Sequence, residues 1–235
     1  MNFYDRLIEE ISAMAKGGAT FPYAQGEGCK SGDKGGLILS SETAFEFGGS
    51  AMPGVGVTLF STDNSFSDEV IILGEDIKEI SSDTPYARIA LISLDSARLP
   101  GEDDIYKALK DIEFTKYRFY PEGCLLRLSA GTKREQLRIS KKAKQSGLSL
   151  KNIGFGFIDA YKKNPAVKAV KIIFITEKGF DYKKLRTLSE KANRITESLN
   201  RIFDGMEISC NTCEMKPLCD EVEGMKELHF RKGEK

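Results

Sequence analysis

The strand-and-helix pair at residues 167–202 constrains the fold most. Val167–Thr176 is an apolar, β-branched-rich run broken only by Lys168 and Lys171, with the length of one buried strand. Tyr182–Ile202 follows as a long amphipathic helix. Leu185, Leu188, Ala192, Ile195, Leu199 and Ile202 share one stripe, and Asp204-Gly205 ends it. A chain with both elements must seat the strand in a sheet and lay the helix stripe on a core, which is a mixed α/β architecture.

The rest of the chain supplies the partners. Strands are expected at Leu37–Ser40, Val55–Ser61, Glu69–Leu73 and Ala87–Leu94, separated by Gly, Pro, Asp and Ser. Val70–Leu73 and Ile89–Ile92 are almost wholly apolar, as central strands are. Asn2–Lys16 reads as a helix with Leu7, Ile8, Ile11 and Met14 on one face, ended by Gly17-Gly18. Gly26–Gly36 is a glycine-rich loop that fits no phosphate-loop pattern. Asp103–Glu113 is a helix, Leu125–Leu128 and Gln136–Ile139 are short strands, and Lys151–Lys163 is a helix stopped before Asn164-Pro165. The expectation is a mixed sheet with flanking helices and a long C-terminal helix leading into a cysteine-rich loop. Strands dominate residues 1–100, while strands and helices alternate in 101–235. Two lobes meeting near Pro100-Gly101 are one reading, and a single domain over 1–235 is the other.

Charge narrows the function classes. Lys+Arg and Asp+Glu both number 35, so overall charge points neither to nucleic acid nor to an anionic membrane. No apolar run approaches the roughly 20 residues that span a bilayer. Met1–Lys16 carries acidic residues and no apolar core of a secretory signal. The expected compartment is the cytoplasm, where thiols stay reduced.

Five cysteines are present: Cys29, Cys124, Cys210, Cys213 and Cys219. The last three form a Cys-x2-Cys-x5-Cys cluster after the long helix. Such spacing lets thiolates converge on one soft metal centre, an iron–sulfur cluster or zinc. A cubane cluster takes four ligands, so the fourth comes from Cys29, Cys124, a non-cysteine ligand or another molecule. His229, the single histidine, makes a Cys3His zinc site the competitor. Three reduced cysteines without metal are the plain alternative.

A second asymmetry lies between Arg127 and Lys151. Arg127, Lys133, Arg134, Arg138, Lys141, Lys142, Lys144 and Lys151 are opposed only by Glu135. A phosphate-rich cofactor, an acidic protein or RNA would use such a patch. A solvated basic face balanced by acids elsewhere in space is the alternative.

Several segments resemble acetyl-CoA synthase, the beta subunit of the carbon monoxide dehydrogenase/acetyl-CoA synthase complex. Phe45-Glu-Phe-Gly-Gly49 is similar to an aromatic-x-Glu-Leu-Gly-Gly segment of that family. Ile72-Leu-Gly-Glu-Asp-Ile-Lys-Glu79 resembles its Ile-Gly-Pro-Asp-x-Asp-Glu, Leu137-Arg-Ile-Ser-Lys141 an Arg-Ile-Ser-Lys core, and Leu150-Lys-Asn-Ile-Gly154 a Leu-Lys-His-Leu-Gly. The resemblance runs over roughly residues 40–220. It implies that Cys210, Cys213 and Cys219 correspond to the first three ligands of a four-iron cluster, across a shortened second gap. The family's fourth cluster cysteine and its later nickel-holding Cys-Gly-Cys have no counterpart. The family's arginines that meet coenzyme A imply a similar role for Arg127, Lys133, Arg134, Arg138 and Lys141, although its tryptophan there is missing. The resemblance implies an iron–sulfur-binding accessory protein of one-carbon metabolism. It would lack a complete nickel site, would not be catalytic alone, and would work beside a corrinoid protein or a carbon monoxide dehydrogenase subunit. Two rivals stand beside it: a short transferase completing its metal site with another subunit, and a zinc-stabilised module with a basic face.

Overall fold

The computed structural model describes residues 3–32, 38–49, 51–63, 66–100, 105–128, 134–203, 213–222 and 224–225. It has the expected mixed α/β architecture. A mixed sheet of five strands is ordered β1 (Ala19–Pro22), β4 (Glu69–Leu73), β8 (Val167–Ile175), β5 (Tyr86–Leu94), β3 (Gly54–Ser61). Beside it stands an antiparallel sheet of three strands, β2 (Thr43–Phe47), β7 (Glu135–Ser140) and β6 (Cys124–Leu128), in that order. Helices α1 (Asp5–Met14), α2 (Ile105–Arg118), α3 (Lys141–Gln145), α4 (Leu150–Tyr161), α5 (Tyr182–Phe203) and α6 (Lys216–Glu221) flank the sheets.

Strand β8 is the hub of the large sheet. It runs parallel to β4, with Val70 opposite Ile172, and antiparallel to β5, with Ile89 opposite Ile173. Strand β5 is buried at all nine positions, because strands flank it on both sides and both of its faces are covered. The two halves of the sequence therefore share both sheets. β8 lies between strands of the first hundred residues, and β2 pairs with β7 in the small sheet. The sheets do not divide near residue 100.

Two glycines let α4 sit close to this sheet. A Cβ at Gly154 would collide with Val70, and one at Gly156 would lie 2.5 Å from the Phe119 ring. These residues cost helix propensity, and the close approach is what they provide. Ser149 caps the helix, its hydroxyl accepting from Asn152 N at 3.1 Å. Helix α5 runs along the edge strand β3, and the Ser189 hydroxyl donates to the Gly56 carbonyl at 3.2 Å. Helix α1 packs on α5, with Tyr4 Oη and Thr196 Oγ1 2.9 Å apart.

Two expectations change, and one strand is added. Leu37–Ser40 is no strand among the described residues: Ser40–Glu42 is a single 3-10 turn, Leu39 is 52% exposed, and the strand starts at Thr43. Leu39 has no apolar layer to join there. Ala19–Pro22 pairs on β4 as a short edge strand, a pairing its brief and mostly exposed sequence does not advertise. Cys219 lies within α6 rather than in a loop, and residues 204–212, with Cys210, lie outside the described residues.

Candidate functional site

The cysteine segment is anchored to the body. Leu218, Val222 and Met225 belong to the hydrophobic core, and Lys191 of α5 pairs with Glu221 of α6. Cys213 and Cys219 flank the start of α6 and its interior, both half-buried. The Cys213 carbonyl accepts from Lys216 N at 3.1 Å, and Cys219 N donates to the Met215 carbonyl at 3.0 Å. Cys213 and Cys219 lie six residues apart on one short anchored segment. Among the described residues no three Cys, His, Asp or Glu side chains gather as a metal site. Cys29 and Cys124 therefore do not complete a site with Cys213 and Cys219. They lie instead where the segment before residue 32 meets the turn into β6, with Ser31 bridged to Pro121 and Glu122 N donating to the Lys30 carbonyl at 3.0 Å. His229, like Cys210, lies outside the described residues.

The basic stretch is spread over β6, β7, α3 and the start of α4, and most of its charges tie segments together. The Arg134 guanidinium donates to the carbonyls of Gly48, Gly49 and Met52. Arg138 reaches Glu46 through Nε at 2.6 Å and the Ile38 carbonyl through Nη1 at 2.9 Å. Lys141 donates to the Ser41 carbonyl at 2.9 Å, Lys144 to that of Ile80, and Lys151 pairs with Glu27 at 2.9 Å. Arg127 is exposed on β6 and has no such contact among the described residues, and Lys133 lies outside them. Lys142 lines a cavity of about 520 Å3 together with Lys30, Glu122 and Cys29.

The most unusual chemistry is one that motif reading passed over. Arg88 of β5 and Glu135 of β7 form an ion pair whose two side chains are both 0% exposed. It is bidentate: Nε to Oε1 is 2.6 Å and Nη2 to Oε2 is 2.7 Å. Tyr86 Oη donates to Oε1 at 3.4 Å, and the Phe157 ring lies 4.7 Å beneath the guanidinium. Burial works against the Arg88 charge, and the adjacent carboxylate more than offsets this, so the guanidinium stays firmly protonated. Glycines make the space: a Cβ at Gly54 or Gly56 would collide with Glu135. Arg88 Nη1, Thr58 Oγ1 and Tyr161 Oη are buried with no further partner, and the Arg88 and Thr58 groups both act on the Tyr161 hydroxyl. The sequence did carry a signal for this pair, a lone arginine in an apolar strand and a lone acid in a basic stretch.

No protein-family model matches the chain, and no curated protein matches it. No helix among the described residues is long and apolar enough to cross a membrane.

Proposed function

We propose that the chain is an acetyl-CoA synthase-like accessory protein of one-carbon metabolism that carries an iron–sulfur cluster on Cys210, Cys213 and Cys219. The observation that supports it is the docking of the cysteine segment: Leu218, Val222 and Met225 hold it on the core while Cys213 and Cys219 remain half-buried. A cluster fixed to a rigid body, yet near solvent, suits exchange of electrons or docking with a second protein. The sequence resemblance names that partner as a corrinoid protein or a carbon monoxide dehydrogenase subunit, in the cytoplasm. Coenzyme A is the associated ligand of the basic stretch, in which Arg127 is exposed and not tied to a neighbouring carbonyl or acid among the described residues.

Anaerobic purification with absorption spectroscopy and analysis of iron, sulfide, zinc and nickel tests the reading. Iron and sulfide in equal amounts are expected, with Cys213→Ser and Cys219→Ser each reducing iron to a small fraction of wild type. Zinc without sulfide would replace the cluster with the zinc-stabilised module. Unchanged metal content in both variants would remove the site altogether.

A further inference from the structure

Among the described residues, most sheet edges are covered or blunted. Helix α5 runs along β3, where the Ser189 hydroxyl bonds to the Gly56 carbonyl. Thr84 lies beside β2, its N–H donating to the Glu46 carbonyl at 3.0 Å and its carbonyl accepting from Gly48 N at 2.8 Å. Strand β1 is four residues long and ends in Pro22, which has no N–H to offer. Strand β6 has no such device. Its register on β7 sets which way its backbone points. Ser140 N donates to the Gly123 carbonyl, so Leu125 and Arg127, opposite Arg138 and Gln136, also turn their N–H and C=O groups toward β7. Those of Leu126 and Leu128, and the Cys124 carbonyl, therefore point away from the sheet. Cys124 N is taken by the Pro121 carbonyl at 3.0 Å, whereas nothing among the described residues bonds to the outward groups of Leu126 and Leu128. Both leucines are half-buried beside Cys124, on the face where β7 buries Glu135, Leu137 and Ile139. Arg127 stands exposed on the other face.

We propose that β6 is a dimerisation edge, pairing antiparallel with β6 of a second copy about a two-fold axis through Leu126. The two three-stranded sheets then form one continuous sheet. Unpaired backbone groups at strand spacing select an extended strand, and the flanking side chains select which one. The incoming strand must bring apolar residues at alternate positions beside Cys124, Leu126 and Leu128, and no cation opposite Arg127. Strand β6 itself meets both demands in one register. With Leu126 opposite its own copy, Cys124 meets Leu128 of the second copy and Leu125 meets Arg127 of the second copy. Sliding the pairing toward Leu128 sets Arg127 against Arg127. Sliding it toward Cys124 sets Leu128 of the second copy against Glu122, whose N–H already donates to the Lys30 carbonyl. The Ser31–Pro121 bridge holds that segment in the way.

Sedimentation velocity on the full-length chain over a concentration series tests the pairing, and a reversible monomer–dimer equilibrium is expected. Leu126→Pro removes an outward N–H and takes none from the β7 ladder. It is expected to keep the far-ultraviolet circular dichroism of wild type and to stay monomeric. Leu125→Glu sets a carboxylate opposite Arg127 of the second copy, twice by symmetry, and is expected to tighten association roughly fivefold. Hydrogen exchange on wild type needs no substitution: the Leu126 and Leu128 amides gain protection as concentration rises. That measurement decides the matter even where Leu126→Pro fails to fold. A chain monomeric at every concentration, its edge left to a strand of another protein, overturns the proposal. So does a folded Leu126→Pro variant that still dimerises, a dimer whose Leu126 and Leu128 amides exchange as in the monomer, or association that Leu125→Glu fails to tighten.

Discussion

Arg88 and Glu135 show how much a single pair can ask of its neighbours. Two charges withdrawn from water lose their hydration, and the bidentate contact returns it only while both are present. Arg88→Met leaves a carboxylate buried without its partner, so it is expected to cost about 3–5 kcal/mol of stability in urea titrations. The double variant Arg88→Met/Glu135→Leu recovers most of that loss, and a double variant no more stable than Arg88→Met would show that the glycine-lined space cannot close around apolar groups. A different residue sets behaviour at high pH. Burial pushes the Cys29 thiol from its ordinary 9.0 up to about 12. Between those values the unfolded chain has lost the proton and the folded chain keeps it, so stability is full below about pH 9 and falls as pH rises toward 12. Cys29→Ala should flatten the decline in urea midpoint between pH 8 and 10 by a measurable part. The decline does not vanish, because Cys124 and the buried Tyr4, Tyr86 and Tyr161 are shifted in the same direction. Equal slopes in variant and wild type would mean that Cys29 is more exposed in solution than its packing beside Gly156 implies.

At the scale of elements, α6 matters more than its length suggests, since it holds the cysteine segment on the body. Leu218→Ala removes a core anchor and is expected to cost about 2–3 kcal/mol locally. Hydrogen exchange at residues 215–222 should rise strongly while that of β8 barely changes. Equal protection in the variant would mean that the Lys191–Glu221 pair holds the segment by itself. Which elements were legible follows from their periodicity. Val167–Ile175 and Tyr182–Phe203 have long, regular apolar patterns and appear almost as the sequence places them. The edge strand Ala19–Pro22 offers four residues with no buried position, so only its pairing with β4 defines it. The helix at Lys151–Lys163 was legible despite Gly154 and Gly156, but the reason for those glycines, the side chains of Val70 and Phe119 against them, was not. The cysteine spacing was legible as a motif, but its anchoring through α6 was not. The Arg88–Glu135 centre joins residues 47 apart in sequence, and no local pattern encodes such a meeting.

At the scale of the whole molecule, both sheets draw strands from both halves of the sequence. Residues 1–100 contain β4 and β5 but not the strand that lies between them. Expressed alone, that fragment is expected to lack the far-ultraviolet circular dichroism of a sheet. The full chain should unfold in urea with coincident transitions by circular dichroism and tyrosine fluorescence. A folded fragment, or two separated transitions, would mean that the first hundred residues close a core of their own. The same topology governs birth on the ribosome. The chain is made from its N-terminus, yet the centre of its large sheet is among the last strands to emerge. Until Val167–Ile175 leaves the exit tunnel, Val70–Leu73 and Ile89–Ile92 present unpaired apolar edges to every neighbouring chain. A message truncated before that strand thus yields a sticky product rather than a smaller working one, and the nascent protein needs a holdase for most of its synthesis.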